Sequence, residues 1–140
     1  MSLKDIAVQL RAMDLYYHTA HNLVKGTVFY QDHESLSDYY EQVGCDYDKV
    51  IERAIPIEGD EAAEIKSQLK AVYEKVKGLP CVGVKENKVY FVKGMELEKE
   101  LCSMIQEHLK SECSLGVETL LGDVCSRSEE RQYLISRRIK

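Results

Sequence analysis

The chain has 140 residues, 44% of them hydrophobic and 31% charged, and carries a net charge of -5 at neutral pH. That length suits one domain able to bury about two thirds of its unfolded surface, and the acidic balance excludes a protein whose main task is to coat nucleic acid, which needs clustered positive charge. No apolar run approaches the roughly 20 residues of a membrane span, and the opening MSLKDIAVQL lacks the charged and hydrophobic regions of a secretion signal, so a soluble, cytoplasmic protein is expected.

Ile6, Leu10, Met13, Tyr17, Ala20 and Val24 recur at steps of four and three, which predicts a helix over 2–25. Ser2 and Asp5 form a capping-box variant at its start, and Gly26 offers an ending. Leu36, Tyr39, Tyr40, Val43, Tyr47, Val50, Ile51 and Ala54 predict a second helix over 30–54, stopped by Pro56. Gly44 inside it costs about 1 kcal/mol relative to alanine, which a close helix contact would offset. After PIEG, Asp60 is the expected cap of a short helix over 61–77, with Ile65, Leu69, Val72 and Val76 on one face and Gly78 and Pro80 beyond it. The alternation in CVGVKENKVYFV, residues 81–92, predicts a small β-hairpin turning at Glu86, Asn87 and Lys88. From Glu96 a further stripe carries Leu97, Leu101, Met104, Ile105 and Leu109, then Val117 and Leu120. A last segment holds Tyr133, Leu134 and Ile139, with Gly116 or Gly122 as the expected break. No repeat or flexible linker interrupts the chain, so the expected architecture is all-α: one antiparallel helical bundle with a hairpin appended. The five cysteines (Cys45, Cys81, Cys102, Cys113 and Cys125) contain no CxxC pair, and they read as buried structural thiols in a reducing compartment rather than as redox or zinc chemistry.

The chemistry-bearing residues are His21, His33, Asp48 and Glu52. Asp48 and Glu52 are four apart and share one helix face, their Cβ atoms roughly 6 Å from each other, so one helix can offer both to one ion. His33 lies fifteen residues before Asp48 on the same predicted helix, roughly 22 Å away at about 1.5 Å per residue, so these residues cannot share an ion within one chain. Two copies of the second helix, crossing antiparallel about a twofold axis near Glu41 to Val43, would bring His33 of one beside Asp48 and Glu52 of the other. His21, across a short turn from His33, joins the same side, and Gly44 allows the close approach. Mixed nitrogen and oxygen donors with open positions suit iron(II) poised for oxygen or peroxide.

The run His21-Asn22-Leu23-Val24-Lys25-Gly26, followed by His33-Glu34, Asp48 and Glu52-Arg53, resembles the miniferritins, the DNA-binding proteins from starved cells (Dps) of the ferritin-like superfamily. The match covers about residues 18–53, and the rest agrees only in helical pattern. What the resemblance implies is a ferritin-like four-helix bundle with an extra short helix, assembled as a homo-oligomeric shell of twelve subunits. It also implies a ferroxidase centre between twofold-related subunits, in which His21, His33, Asp48 and Glu52 are both the metal ligands and the catalytic residues. Iron is the implied metal, with zinc a substitute ion, and hydrogen peroxide the preferred oxidant, in protection against oxidative stress.

The chain departs from that family at Asn22, where a tryptophan is usual, and it lacks a lysine-rich N-terminal tail, only Lys4 and Arg11 being basic before His18. The basic end, with Arg127, Arg131, Arg137, Arg138 and Lys140, offers phosphate contacts or else is a solvated last turn or an interface, and DNA binding is disfavoured. His18 adds a ligand, a hydrogen bond to one, or only packing. Glu-x-x-His pairs are absent, since Leu15, His18 and Tyr30 precede His18, His21 and His33 by three, which disfavours a di-iron site inside one bundle. The nine tyrosines read first as packing, four of them (Tyr30, Tyr39, Tyr40 and Tyr47) on the second helix, where an electron relay near iron is the alternative. The competing function is a ferritin-like scaffold or DNA-binding bundle without ferroxidase chemistry.

Overall fold

A computed structural model describes all residues 1–140. The chain forms α1 (Leu3–Leu23), α2 (Phe29–Glu58), a 3-10 turn (Asp60–Ala63), α3 (Ile65–Val76), α4 (Lys88–Leu109) and α5 (Leu115–Arg138). It contains no β-strand beyond a single bridge between Cys81 and Gly83, and no helix is long and apolar enough to cross a membrane.

Side-chain contacts give the directions. His21 meets His33 while Arg11 meets Tyr47, so α1 and α2 run antiparallel. Gln9 reaches Leu97 and Tyr16 reaches Tyr90, so α1 and α4 do too. Asp32 with Arg138 and Asp46 with Arg127 make α2 antiparallel to α5. Consequently α2 and α4 are parallel, and the segment carrying α3 is the long crossover that such an order requires. The core is shared by all four long helices, through Leu10, Met13, Tyr17, Leu36, Val43, Leu101, Ile105, Leu121 and Ile135 among others. Gly94 lets α4 approach α1: a Cβ there would come within 3.1 Å of the Tyr17 ring.

The capping box at Ser2 forms as its spacing predicts, with both reciprocal bonds between Ser2 and Asp5 present. Several boundaries differ from expectation for physical reasons. Pro56 sits inside the last turn of α2 without ending it. It forfeits one hydrogen bond near a helix end, and the extension gains Glu58, whose carboxylate accepts from Leu3 N at 2.7 Å and Lys4 N at 3.1 Å at the start of α1. Glu64 rather than Asp60 caps α3, accepting from Lys66 N and Ser67 N, and these bonds hold its carboxyl below the usual range. The break before α5 falls at Ser114, whose hydroxyl accepts from Val117 N, leaving Gly116 and Gly122 inside the helix.

The hairpin expected over 81–92 does not exist: α4 begins at Lys88. Tyr90 and Phe91 are both 2% exposed while Val89 and Val92 are 41% and 42% exposed, a pairing of adjacent buried residues that a helix permits and a half-buried strand does not. Asn87 pins this helix start to the α1–α2 turn by accepting from Lys25 N and donating to Lys25 O and Asp32 Oδ2. A short apolar run such as VYFV reads equally as strand or helix by period alone. The expected common face of α3 is only partly covered: Val72 packs on Val8 and Ala12, whereas Ile65 and Leu69 are 66% and 60% exposed, as is Tyr73 at 57%.

Candidate metal centre

His21 closes the last turn of α1 and His33 lies in the first turns of α2, and the antiparallel packing stacks their rings at 3.6 Å with 19° between planes. His21 Nδ1 lies 2.7 Å from the His33 carbonyl oxygen, and His33 Nδ1 lies 2.8 Å from the His21 carbonyl oxygen. A carbonyl only accepts, so both Nδ1 atoms carry protons, and in the neutral ring that leaves the lone pair on Nε2. This is the tautomer a metal-ligating imidazole needs, and no other protein atom engages either Nε2. Phe29 stacks on the far side of His33 at 4.9 Å, and Tyr40 meets His21 edge-on at 5.3 Å.

Asp48 and Glu52 are exposed on α2 and form no hydrogen bond or ion pair within the chain. They share a helix face as their spacing predicts, well removed from His33 along the same helix. The chain by itself brings together no group of three or more His, Cys, Asp or Glu side chains able to hold a metal ion.

The nearest neighbour of Gly44 lies inside the chain: a Cβ there would meet the Asp14 carboxylate of α1 at 3.6 Å, an ordinary van der Waals distance, so the α1–α2 packing does not require the glycine. Sequence reasoning missed Asp14, although it stands four before His18 and seven before His21 on the same stripe of α1. Burial pushes its carboxyl above the usual range against the lowering influence of Arg11 3.4 Å away, and Asp48 adds to the rise. Arg11 in turn lies over the Tyr47 ring at 4.0 Å. His18 is exposed and stacks on Tyr40 at 4.2 Å, nearly parallel. Ring contacts thus join His18, His21, His33 and Tyr40 across α1 and α2, and Asp14 feels both His18 and Asp48 farther along the same two helices.

The interior of the bundle is differently arranged. Glu98 and Arg131, both fully buried, form a two-point ion pair, and Glu98 also accepts from Tyr17 and from Ser128 at 2.7 Å. Arg131 donates its remaining arm to Gln42 at 3.0 Å. Burial opposes the charge on Arg131, but Glu98 outweighs it and holds the guanidinium above its ordinary value, while burial and Glu98 together push the Tyr17 phenol well up. Every oxygen of Glu98 is occupied, so no open carboxylate is left there for an ion. Arg127 and Arg138 likewise clasp the buried Asp46 and Asp32. Three of the five basic residues expected as a solvated or phosphate-facing end are thus internal ties of α5 to α2 and α4.

Against solved structures, the chain is similar to a DPS protein from Vibrio cholerae O1, a member of a broad superfamily of ferritin-like diiron-carboxylate proteins. The fold is ferritin-like. The superposition reaches a TM-score of 0.68 over 99% of this chain and 86% of that one, at 13% sequence identity, so the likeness speaks to fold alone. No protein-family model matches the chain, and no curated protein does.

Proposed function

We propose that this chain is an iron-handling miniferritin that oxidises Fe(II) at sites shared between twofold-related copies. His21 and His33 are contributed by one copy and Asp48 and Glu52 by the other. The observation that carries the reading is the reciprocal pair of Nδ1–carbonyl bonds, which orders both imidazoles and leaves both Nε2 atoms unengaged on an outer face. The exposed apolar residues Ile65, Leu69 and Tyr73 on α3 and Leu15 on α1 support burial of this side in an assembly, and a shell of twelve subunits is the proposed form.

The stacking favours two ions over one. A metal bonds in the plane of its imidazole at about 2.0–2.1 Å, and an ion in the plane of one ring is a full stacking distance from the plane of the other. Each imidazole would therefore hold its own ion, with Asp48 and Glu52 of the other copy supplying the oxygen donors. Two adjacent Fe(II) ions match a two-electron oxidant: hydrogen peroxide takes one electron from each, its O–O bond breaks, and hydrolysis of the resulting Fe(III) releases protons to water and nearby carboxylates. Iron is the substrate throughout, and zinc, which does not change oxidation state, competes for the same donors.

Complementation tests the sharing directly. His33→Ala and Asp48→Ala subunits should each be slowed at least roughly tenfold alone. Refolded together, half of the dimers are mixed and each mixed dimer regains one intact site of its two, so about a quarter of wild-type Fe(II) oxidation should return. No recovery in mixed assemblies of normal mass, or a wild type that stays monomeric, would overturn the reading.

A further inference from the structure

Cys102 of α4 and Cys125 of α5 face one another with their sulfurs 3.1 Å apart, and no disulfide joins them. Both are half-buried, contrary to the expectation of wholly buried structural thiols, and Cys45 and Cys81 are exposed. We propose that Cys102 and Cys125 form a peroxide-responsive dithiol that closes to a disulfide across the α4–α5 seam.

The separation selects this chemistry over metal binding. Two thiolates on a tetrahedral zinc ion with bonds of about 2.3 Å stand about 3.8 Å apart, so the pair is too close for that role. A disulfide bond is about 2.0 Å long, so closure needs a movement of about 1 Å, within reach of side-chain torsions. The surrounding groups divide the labour. Cys125 donates to the Cys102 sulfur, and the Gln132 amide donates to the same atom at 3.5 Å, so negative charge formed on Cys102 is met by two donors. Burial, followed by the bond to Cys102, pushes the Cys125 thiol up to about 12, which keeps it protonated until the second step. Glu129 Oε1, 3.8 Å from the Cys125 sulfur, adds to that rise, so the Cys125 proton is still in place to leave with the sulfenic hydroxyl as water.

The steps balance as follows. The Cys102 sulfur, having lost its proton, attacks one oxygen of hydrogen peroxide, the O–O bond breaks, and the departing hydroxide leaves as water after protonation, giving a sulfenic acid. The Cys125 sulfur then displaces the sulfenic hydroxyl, which also leaves as water, and the S–S bond forms. The two sulfurs lose two electrons and the peroxide gains them. No metal takes part, so the proposal stands or falls apart from the iron site.

The test uses reduced protein freed of metal with a chelator, in a Cys113→Ser background so that the tryptic peptide 111–127 holds one cysteine. Peroxide treatment followed by alkylation and mass mapping should show peptide 100–110 joined to peptide 111–127, lighter than their sum by two hydrogen atoms, with both thiols lost to alkylation. The treated protein should also unfold at higher denaturant than the reduced form, a shift that dithiothreitol reverses and that Cys102→Ser lacks. If Cys102 and Cys125 stay alkylatable after the exposed Cys45 and Cys81 have reacted, or go only to sulfinic acid, the proposal is wrong.

Discussion

Two sets of carboxylates in this chain have opposite fates. Glu98, Asp32 and Asp46 are buried and each is held at two points by an arginine of α5, whereas Asp48 and Glu52 stand exposed on α2 with nothing in the chain to hold them. The first set is satisfied and ties helices together. The second is left open beside a face that also carries two histidines with free ring nitrogens, and availability of this kind is what the proposed ligand role requires.

The sharpest way to break the comparison is Glu98→Ala, which leaves Arg131 charged, buried and unpaired. It should cost about 3–5 kcal/mol in denaturant unfolding, and a loss below about 1 kcal/mol would mean the buried pair is not bracing the bundle. Next is the alkaline limit. Tyr16, Tyr17 and Tyr39 all have phenols raised by burial, Tyr39 to about 12. The unfolded chain ionises these groups near 10, so between that value and the folded one the native state holds more protons and stability falls as pH rises. Ultraviolet absorbance should therefore show these tyrosines ionising together with loss of helical circular dichroism, and ionisation in an intact fold would contradict their burial. At the open set, Asp48→Ala or His33→Ala should slow peroxide-driven Fe(II) oxidation at least roughly tenfold, since even groups behind metal ligands matter on that scale. The smallest effect sharpens the contrast: in protein held free of metal, Asp48→Ala and Glu52→Ala should change stability by no more than about 0.5 kcal/mol, and a larger loss would make them structural after all.

The long helices α1 and α2 and the Ser2 cap were legible because an apolar stripe and a cap depend on neighbours in sequence. The helix at 88–92 was not, because what decides it is Asn87 reaching across to Lys25 and Asp32, a contact between residues far apart in the chain. The arginine ties escaped for the same reason: Arg127, Arg131 and Arg138 read as a basic end until α2 and α4 bring their carboxylates to them. Of the candidate centre, the spacing of His21 and His33 was visible, but not their tautomer, which is set by two backbone carbonyls. Asp14 was overlooked although its helical stripe pointed to the same face.

The crossed bonds between His21 and His33 have an energetic consequence for whatever binds there. Immobilising a flexible side chain at a binding site ordinarily costs about 0.5–1.5 kcal/mol, yet here folding has already frozen both rings through the turn that joins α1 to α2. On the proposed function, an arriving ion would meet donors prepared in advance, and its affinity should track the integrity of that turn: loosening residues 24–28 would weaken capture without touching a proposed ligand.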